Sequence, residues 1–195
     1  MKKVLLVAAA ILFVASVASA ELPITPYLGL QVGPSTNSPA QTVPSGTCEV
    51  DYTGARTTFY MWIWILPNTA GMMAAEFCIE LPAVEDNVTL STATKNPLVL
   101  AVNGALTDGI AVSFGVCRTD WTWIYYVKAY LYDDVASTVR IVEDPTADPP
   151  FLGVSTCALG YPMVSGIAWS YLSMNHACTC IATKESSWGA IKSLF

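Results

Sequence analysis

Alternation of apolar and polar positions dominates the chain. Residues 74–81 set Phe77, Ile79 and Leu81 on one face and Glu76, Cys78 and Glu80 on the other, as expected of a strand half buried against a core. Residues 57–66 are aromatic and β-branched and stop at Pro67-Asn68. From Tyr60 to Leu66 both faces are apolar. That predicts a central strand covered on each side, or a face hidden by a partner. Similar segments follow at 87–94, 98–102, 110–117, 121–132, 137–142, 151–157 and 170–180. Asn103-Gly104 and Asp108-Gly109 read as turns, and Pro145, Pro149 and Pro150 break the series.

Between Cys48 and Cys180 no apolar stripe at helical spacing persists for three turns, so the crossover helices of a parallel α/β fold are missing. About nine short, turn-punctuated strands predict an all-β fold: an antiparallel two-sheet β-sandwich, Ig-like in architecture. An outer-membrane barrel competes with this reading. Counting back in twos from Phe195 gives Ser193, Ile191 and Gly189, which do not alternate as barrel strands do.

The ends differ from the middle. Lys2-Lys3, the apolar run from Val4 to Val17, and Ala18-Ser19-Ala20 make residues 1–20 a cleavable signal peptide. The run is too short to span a bilayer, which needs about 20 residues. Residues 21–47 hold five of the twelve prolines among Ser, Thr, Gly and Gln and predict an extended or mobile leader. The sandwich domain is then 48–182. In 183–195, Trp188, Ile191, Leu194 and Phe195 fall on one helical face. A helix of roughly 10 residues is marginal alone, so this short amphipathic tail must dock on its own domain or serve sorting.

The expected location is therefore secreted, periplasmic or at the cell surface of a bacterial-type cell, with no transmembrane segment after cleavage. There an even set of cysteines (Cys48, Cys78, Cys117, Cys157, Cys178 and Cys180) reads first as three disulfides with 15 open pairings. Predicted strand ends favour Cys117–Cys157 among them. Loss of Lys2 and Lys3 takes the formal charge from −6 to −8, which argues against nucleic acid and anionic membranes as partners.

Catalytic signatures are missing: no Gly-x-Ser-x-Gly, no His-Glu-x-x-His and no phosphate loop occurs. The pairs Glu85-Asp86, Asp133-Asp134 and Glu143-Asp144 fall where turns are expected. His176-x-Cys178-x-Cys180 would converge on one strand face as a three-ligand copper or zinc set. The loop Glu143-Asp144-Pro145-Thr146-Ala147-Asp148 offers oxygen ligands to Ca2+, without a recognised calcium-loop spacing. Strand periodicity puts Trp121, Trp123, Tyr125, Val127, Ala129 and Leu131 in the core. It leaves Thr122, Ile124, Tyr126, Lys128, Tyr130 and Tyr132 on the other face, where Tyr126, Tyr130 and Tyr132 form a stripe suited to a sugar or protein partner. Asn87-Val88-Thr89 has the form of a glycosylation sequon.

Gly71-Met72-Met73-Ala74-Ala75-Glu76-Phe77-Cys78-Ile79 resembles the Gly-x-x-x-Ala-x-Phe-x-Ile strand of cohesin-like domains, and the resemblance implies a sandwich that binds rather than catalyses. The ending Trp188-Gly189-Ala190-Ile191-Lys192-Ser193-Leu194-Phe195 is similar to Trp-Gly-x-Ile-Lys-x-Leu-aromatic tails of uncharacterised secreted Gram-negative proteins, which implies recognition by an export or attachment system. The residues favour a non-enzymatic secreted module, binding or structural, with a protein or glycan partner at the cell surface. The alternatives are a glycan-binding or carbohydrate-active protein and a small periplasmic metal-binding protein centred on His176.

Overall fold

In a computed structural model, residues 25–33, 44, 46–83 and 87–178 are described. They fall within one compact unit spanning Leu22–Ala182. Among them every regular element is a strand. Five strands make the first sheet in the order β12-β1-β3-β8-β5. In that order they are Ile167–Ser170 (β12), Tyr27–Val32 (β1), Thr57–Leu66 (β3), Thr122–Leu131 (β8) and Val88–Lys95 (β5). The second sheet runs β11-β10-β4-β9-β13-β2, with β7 added to β4 and β6 to β7. Its strands are Met163–Ser165 (β11), Gly153–Ser155 (β10), Met72–Glu80 (β4), Ser137–Val142 (β9), Leu172–Met174 (β13), Glu49–Val50 (β2), Gly109–Arg118 (β7) and Val99–Ala105 (β6). The protein is an all-β, two-sheet sandwich, as the period-two pattern predicts.

The core forms where the alternating faces of the two sheets meet. Leu28, Leu30, Phe59, Met61, Ile63, Ile65, Val127, Ala129 and Leu131 come from the first sheet; Ala75, Phe77, Ile79, Ile110, Val112, Val139 and Ile141 come from the second. Pairing is antiparallel except for β1 with β12 and β2 with β13. The chain crosses between sheets at Tyr171, from β12 to β13, so those two parallel pairs close one edge of each sheet. Ser170 Oγ donates to Leu30 O at 2.7 Å within the first of them.

Three expectations are corrected here. The leader is not extended coil up to residue 47: residues 27–32 are β1, hydrogen-bonded between β3 and β12, with Leu28 and Leu30 fully buried. Alternation within Tyr27–Val32 gives it a core face despite the proline-rich flanks. Asn103-Gly104 is not a turn. It lies inside β6, opposite Ala111 and Ile110, and the chain reverses at 106–108 instead. The predicted strand 170–180 is divided, because Ser170 ends β12 and Met174 ends β13. The signal peptide, the C-terminal tail and Cys180 lie outside the described residues.

Two disulfides staple the sandwich. Cys48–Cys178 links the β2 edge to the segment after β13 with Cα atoms 5.8 Å apart. The parallel β2–β13 pairing sets this up, since Ser173 N donates to Cys48 O at 2.7 Å and Cys178 N donates to Glu49 Oε1 at 2.7 Å. Cys117–Cys157 ties the end of β7 to the loop after β10, again at 5.8 Å. Gly71, at φ +72°, leaves room beside both of those sulfurs; a Cβ there would lie 2.6 Å from Cys117 Sγ. The third expected bridge is absent at Cys78, which is a buried free thiol. It lies on the outward side of β4, and the sulfurs of Cys48, Cys117, Cys157 and Cys178 are already paired.

Chain-entropy reasoning predicts that the longer loop stabilises more. The bridges close 130 and 40 residues respectively, so the first constrains the unfolded chain by about 1 kcal/mol more. Denaturant unfolding of the Cys48→Ser/Cys178→Ser and Cys117→Ser/Cys157→Ser double variants should each show a loss of about 2–5 kcal/mol, the former larger.

Candidate functional site

The outward face of the first sheet is aromatic, and a backbone irregularity makes it so. Along β3, Phe59, Met61, Ile63 and Ile65 enter the core, so Tyr60, Trp62 and Trp64 must point out. In β8, Tyr125 faces Ile63 while Trp123 faces Trp64, so Ile124 is an extra residue. This bulge reverses the expected faces upstream of it. Ile124 is buried in the main core, and Trp123 joins Trp62 and Trp64 in a separate outer cluster with Trp121 packed against it. The core reading of Trp121 and Trp123 is therefore corrected, while Tyr125, Val127, Ala129 and Leu131 face inward as predicted.

Asn96 holds the bulge. Its backbone N donates to Ile124 O at 2.9 Å, and its side-chain Nδ2 donates to Trp123 O at 2.7 Å. Its Oδ1 accepts from Leu98 N at 2.9 Å. A buried amide with its donor and acceptor both engaged is what a ladder defect needs to satisfy freed backbone groups.

Trp62 is the hub of the face. Trp123 meets it edge-on at 5.3 Å between centroids, Trp64 stacks at 6.0 Å and Tyr126 leans on it at 5.2 Å. Tyr60 and Tyr126 stack at 5.3 Å with planes 4° apart. At the β12 edge, Trp169 meets Trp121 at 5.6 Å. Gly29 of β1 leaves room for it, because a Cβ there would collide with the Trp169 indole.

Beyond Tyr126 the aromatic face becomes cationic. Arg56 Cζ sits 4.5 Å above the Tyr130 ring centroid, and Lys128 Nζ lies 5.4 Å from the same centroid. Tyr130 and Tyr132 are 6.2 Å apart and tilted by 54°, and Tyr132 Oη lies 3.4 Å from Thr89 Oγ1. Hydrogen bonding from Lys128 holds the Tyr130 phenol below its ordinary range, helped by Ser91 and by the charges of Lys128 and Arg56. Burial pushes the Tyr126 phenol up, reinforced by Tyr60 and opposed by Lys128. The structure thus brings Tyr126, Tyr130 and Tyr132 to one end of one face. They are not coplanar: Tyr126 is half buried in a stack, and Tyr132 is 42 % exposed.

The extended strand expected to align His176 with Cys178 is corrected, while Cys180 lies outside the described residues. Asn175 has φ +59°, which ends the extended run before His176. Its side chain fixes the turn by accepting from Tyr52 N at 2.7 Å and donating to Asp133 O at 3.0 Å. The His176 ring nitrogens lie 3.0 Å from Ser137 O and 3.1 Å from Ala177 O. Cys178 is in a disulfide and offers no thiolate. In the acidic loop, Asp144 is buried and its Oδ1 accepts from Thr146 N and Thr146 Oγ1, both at 2.7 Å. It braces the loop while Glu143 and Asp148 stay exposed. No three His, Cys, Asp or Glu side chains converge as metal ligands among the described residues. The sequon Asn87 is buried, and its Nδ2 donates to Ser137 Oγ at 2.9 Å.

A groove of about 410 Å³ on the second sheet is lined by Cys78, Glu80, Leu81, Thr107, Val142 and Pro145. Burial pushes the Cys78 thiol up, and the Asp144 carboxylate adds to that. A raised thiol holds back the thiolate, which is the nucleophilic form. Burial raises Glu76 in the same way, again with Asp144 contributing.

A carboxyl raised in the fold contributes stability fully below its unfolded pKa, and loses that contribution as pH climbs through the raised value. Glu76→Gln should therefore leave Tm unchanged near pH 4 and raise it by about 1–2 °C at pH 7, small because the group is largely hydrated. Calorimetric scans at the two pH values check this.

No protein-family model matches the chain, and no curated protein matches it. Among solved structures, a chain in the crystal structure of a CaDoc0917–CaCohA2 complex aligns with a TM-score of 0.45 and 13 % identity, over 78 % of this chain and 100 % of that one. This is a weak structural resemblance to a cohesin.

Proposed function

We propose that the protein is a non-enzymatic extracytoplasmic binding module, and that it presents the tyrosine end of its first sheet to a partner. One observation carries the reading. Strands β1, β3, β5, β8 and β12 contain no Asp or Glu, although the chain has 15 acidic residues. A face free of carboxylates, paved with tyrosine and edged by Arg56 and Lys128, has the composition of a contact surface rather than of a solvating one. Two disulfides suit an oxidising compartment. Tyr and Arg are the side chains that most often anchor interfaces, because each combines large area with directed hydrogen bonds.

A second surface supports a structural variant of this reading. The loop after β10 is pinned by Cys117–Cys157, by Thr156 N donating to Pro162 O at 2.9 Å and by Tyr161 N donating to Ala158 O at 2.9 Å. It nevertheless exposes Leu159 completely, along with Tyr161, and Met163 at the start of β11 is exposed beside it. Tyr161 is held at φ +50°, a conformation uncommon for a bulky residue. An ordered loop that displays apolar side chains suits docking to another protein.

The purified protein should co-sediment with isolated bacterial cell envelopes. Tyr130→Ala/Tyr132→Ala should reduce the retained fraction about tenfold, a loss of about 1.4 kcal/mol, without altering the melt. Retention that survives this change but falls with Leu159→Asp would favour the loop. Absence of retention by the unaltered protein would contradict both.

A further inference from the structure

Resting on that reading, we propose that the tyrosine–cation end of the first sheet binds an anionic polysaccharide, one whose sugar rings carry carboxylates. The argument begins with charge. Of the residues in the five strands of this sheet, the only ionised side chains are Lys95 and Lys128. The carboxylates that do occur in strands, Glu49, Glu76 and Glu80, belong to the second sheet. In a chain of net charge −6, that separation leaves the strands of one face without carboxylates, the nearest in sequence to Tyr132 being Asp133 and Asp134 in the loop after it, and so reduces anionic repulsion toward an incoming carboxylate over the sheet itself.

Arg56 and Lys128 stand at this face without an ion-pair partner among the described residues. Both are drawn to the Tyr130 ring instead, at 4.5 and 5.4 Å. Cation–ring attraction at an exposed site is weak, about 0.5–1 kcal/mol. It positions the guanidinium and ammonium groups and leaves N–H donors to spare: a guanidinium has five and an ammonium three. A carboxylate on a ligand would complete them with charge-assisted hydrogen bonds.

The surroundings fit sugars better than a peptide. Thr58, Thr89, Ser91 and Thr94 flank Tyr126 and Tyr130 through the β3–β8 and β5–β8 pairing, or by hydrogen bonding to Tyr130. They supply hydroxyls along the sheet, with Tyr132 offering an exposed ring. No exposed Leu, Ile, Val, Met or Phe belongs to β3, β5 or β8, so there is no apolar pocket to seat peptide side chains. An open face of this kind favours a linear polymer laid across the strands, with aromatic stacking and hydroxyl contacts supplementing the charges.

Affinity electrophoresis of the purified protein in gels containing polygalacturonate, neutral dextran or poly-glutamate tests this. The expected result is retardation by polygalacturonate alone. It should weaken about tenfold in Arg56→Gln/Lys128→Gln and fall further when salt rises from 50 to about 300 mM. Both residues are at the surface, and an unchanged melt of the double variant confirms that folding is intact. Equal retardation by dextran, unaffected by the double substitution, overturns the anionic class while leaving a glycan-binding face. Retardation by poly-glutamate in preference to polygalacturonate assigns the face to an acidic peptide and overturns the proposal. No retardation in any gel overturns it too. If envelope retention still depends on Tyr130 and Tyr132, the broader reading stands without it.

Discussion

The outward aromatic face depends on one backbone defect, the extra residue at Ile124, and on the buried Asn96 that satisfies it. Strict alternation through β8 would send Trp123 into the core and Ile124 out to the surface. The extra residue exchanges them. Asn96 stabilises the exchange by donating twice, from its side-chain amide to Trp123 O and from its backbone N–H to Ile124 O. Without those bonds two carbonyls would be buried unpaired, at a cost of about 1–3 kcal/mol each. Trp62 then has the rings of Trp64, Trp123 and Tyr126 as neighbours on its own face.

That packing separates two chemistries on one sheet. The three indoles of Trp62, Trp64 and Trp123 are nearly inaccessible and make the middle of the face a rigid floor. Toward the β3–β8 end the same face opens into tyrosines, hydroxyls and two cations. A rigid floor beneath an accessible rim lowers the ordering cost of binding, because the rim side chains are already positioned by their ring contacts. The carboxylates that occur in strands, Glu49, Glu76 and Glu80, all belong to the second sheet.

Much of this was legible in the residues. Period-two hydrophobicity in 57–66, 74–81 and 137–142 located β3, β4 and β9 closely, since half-buried strands leave that signature directly. The Cys117–Cys157 bridge followed from cysteines at strand ends. The faces of β8 were legible only below Tyr125, because a bulge has no composition cue in the strand that carries it; the signal sits in Asn96, a polar residue at the end of a neighbouring strand. β1 was hidden by prolines on either side of six ordinary strand residues. The copper or zinc geometry failed for a local reason, the left-handed turn at Asn175, a residue type that tolerates φ above zero. Cys78 looked like one of an even set, yet its pairing was decided by which strands met, which spacing does not encode.

The central claim is that tryptophans floor this face and tyrosines line its accessible end. Hydroxyl-radical footprinting of the native protein, read by mass spectrometry, tests it at single-residue level. Tyr130 and Tyr132 should oxidise several-fold faster than Trp62, Trp64 and Trp123, although indole is no less reactive than phenol when both are free. Rapid oxidation of Trp62 or Trp123 alongside protected tyrosines would contradict the bulge, the face it creates and the function built on it.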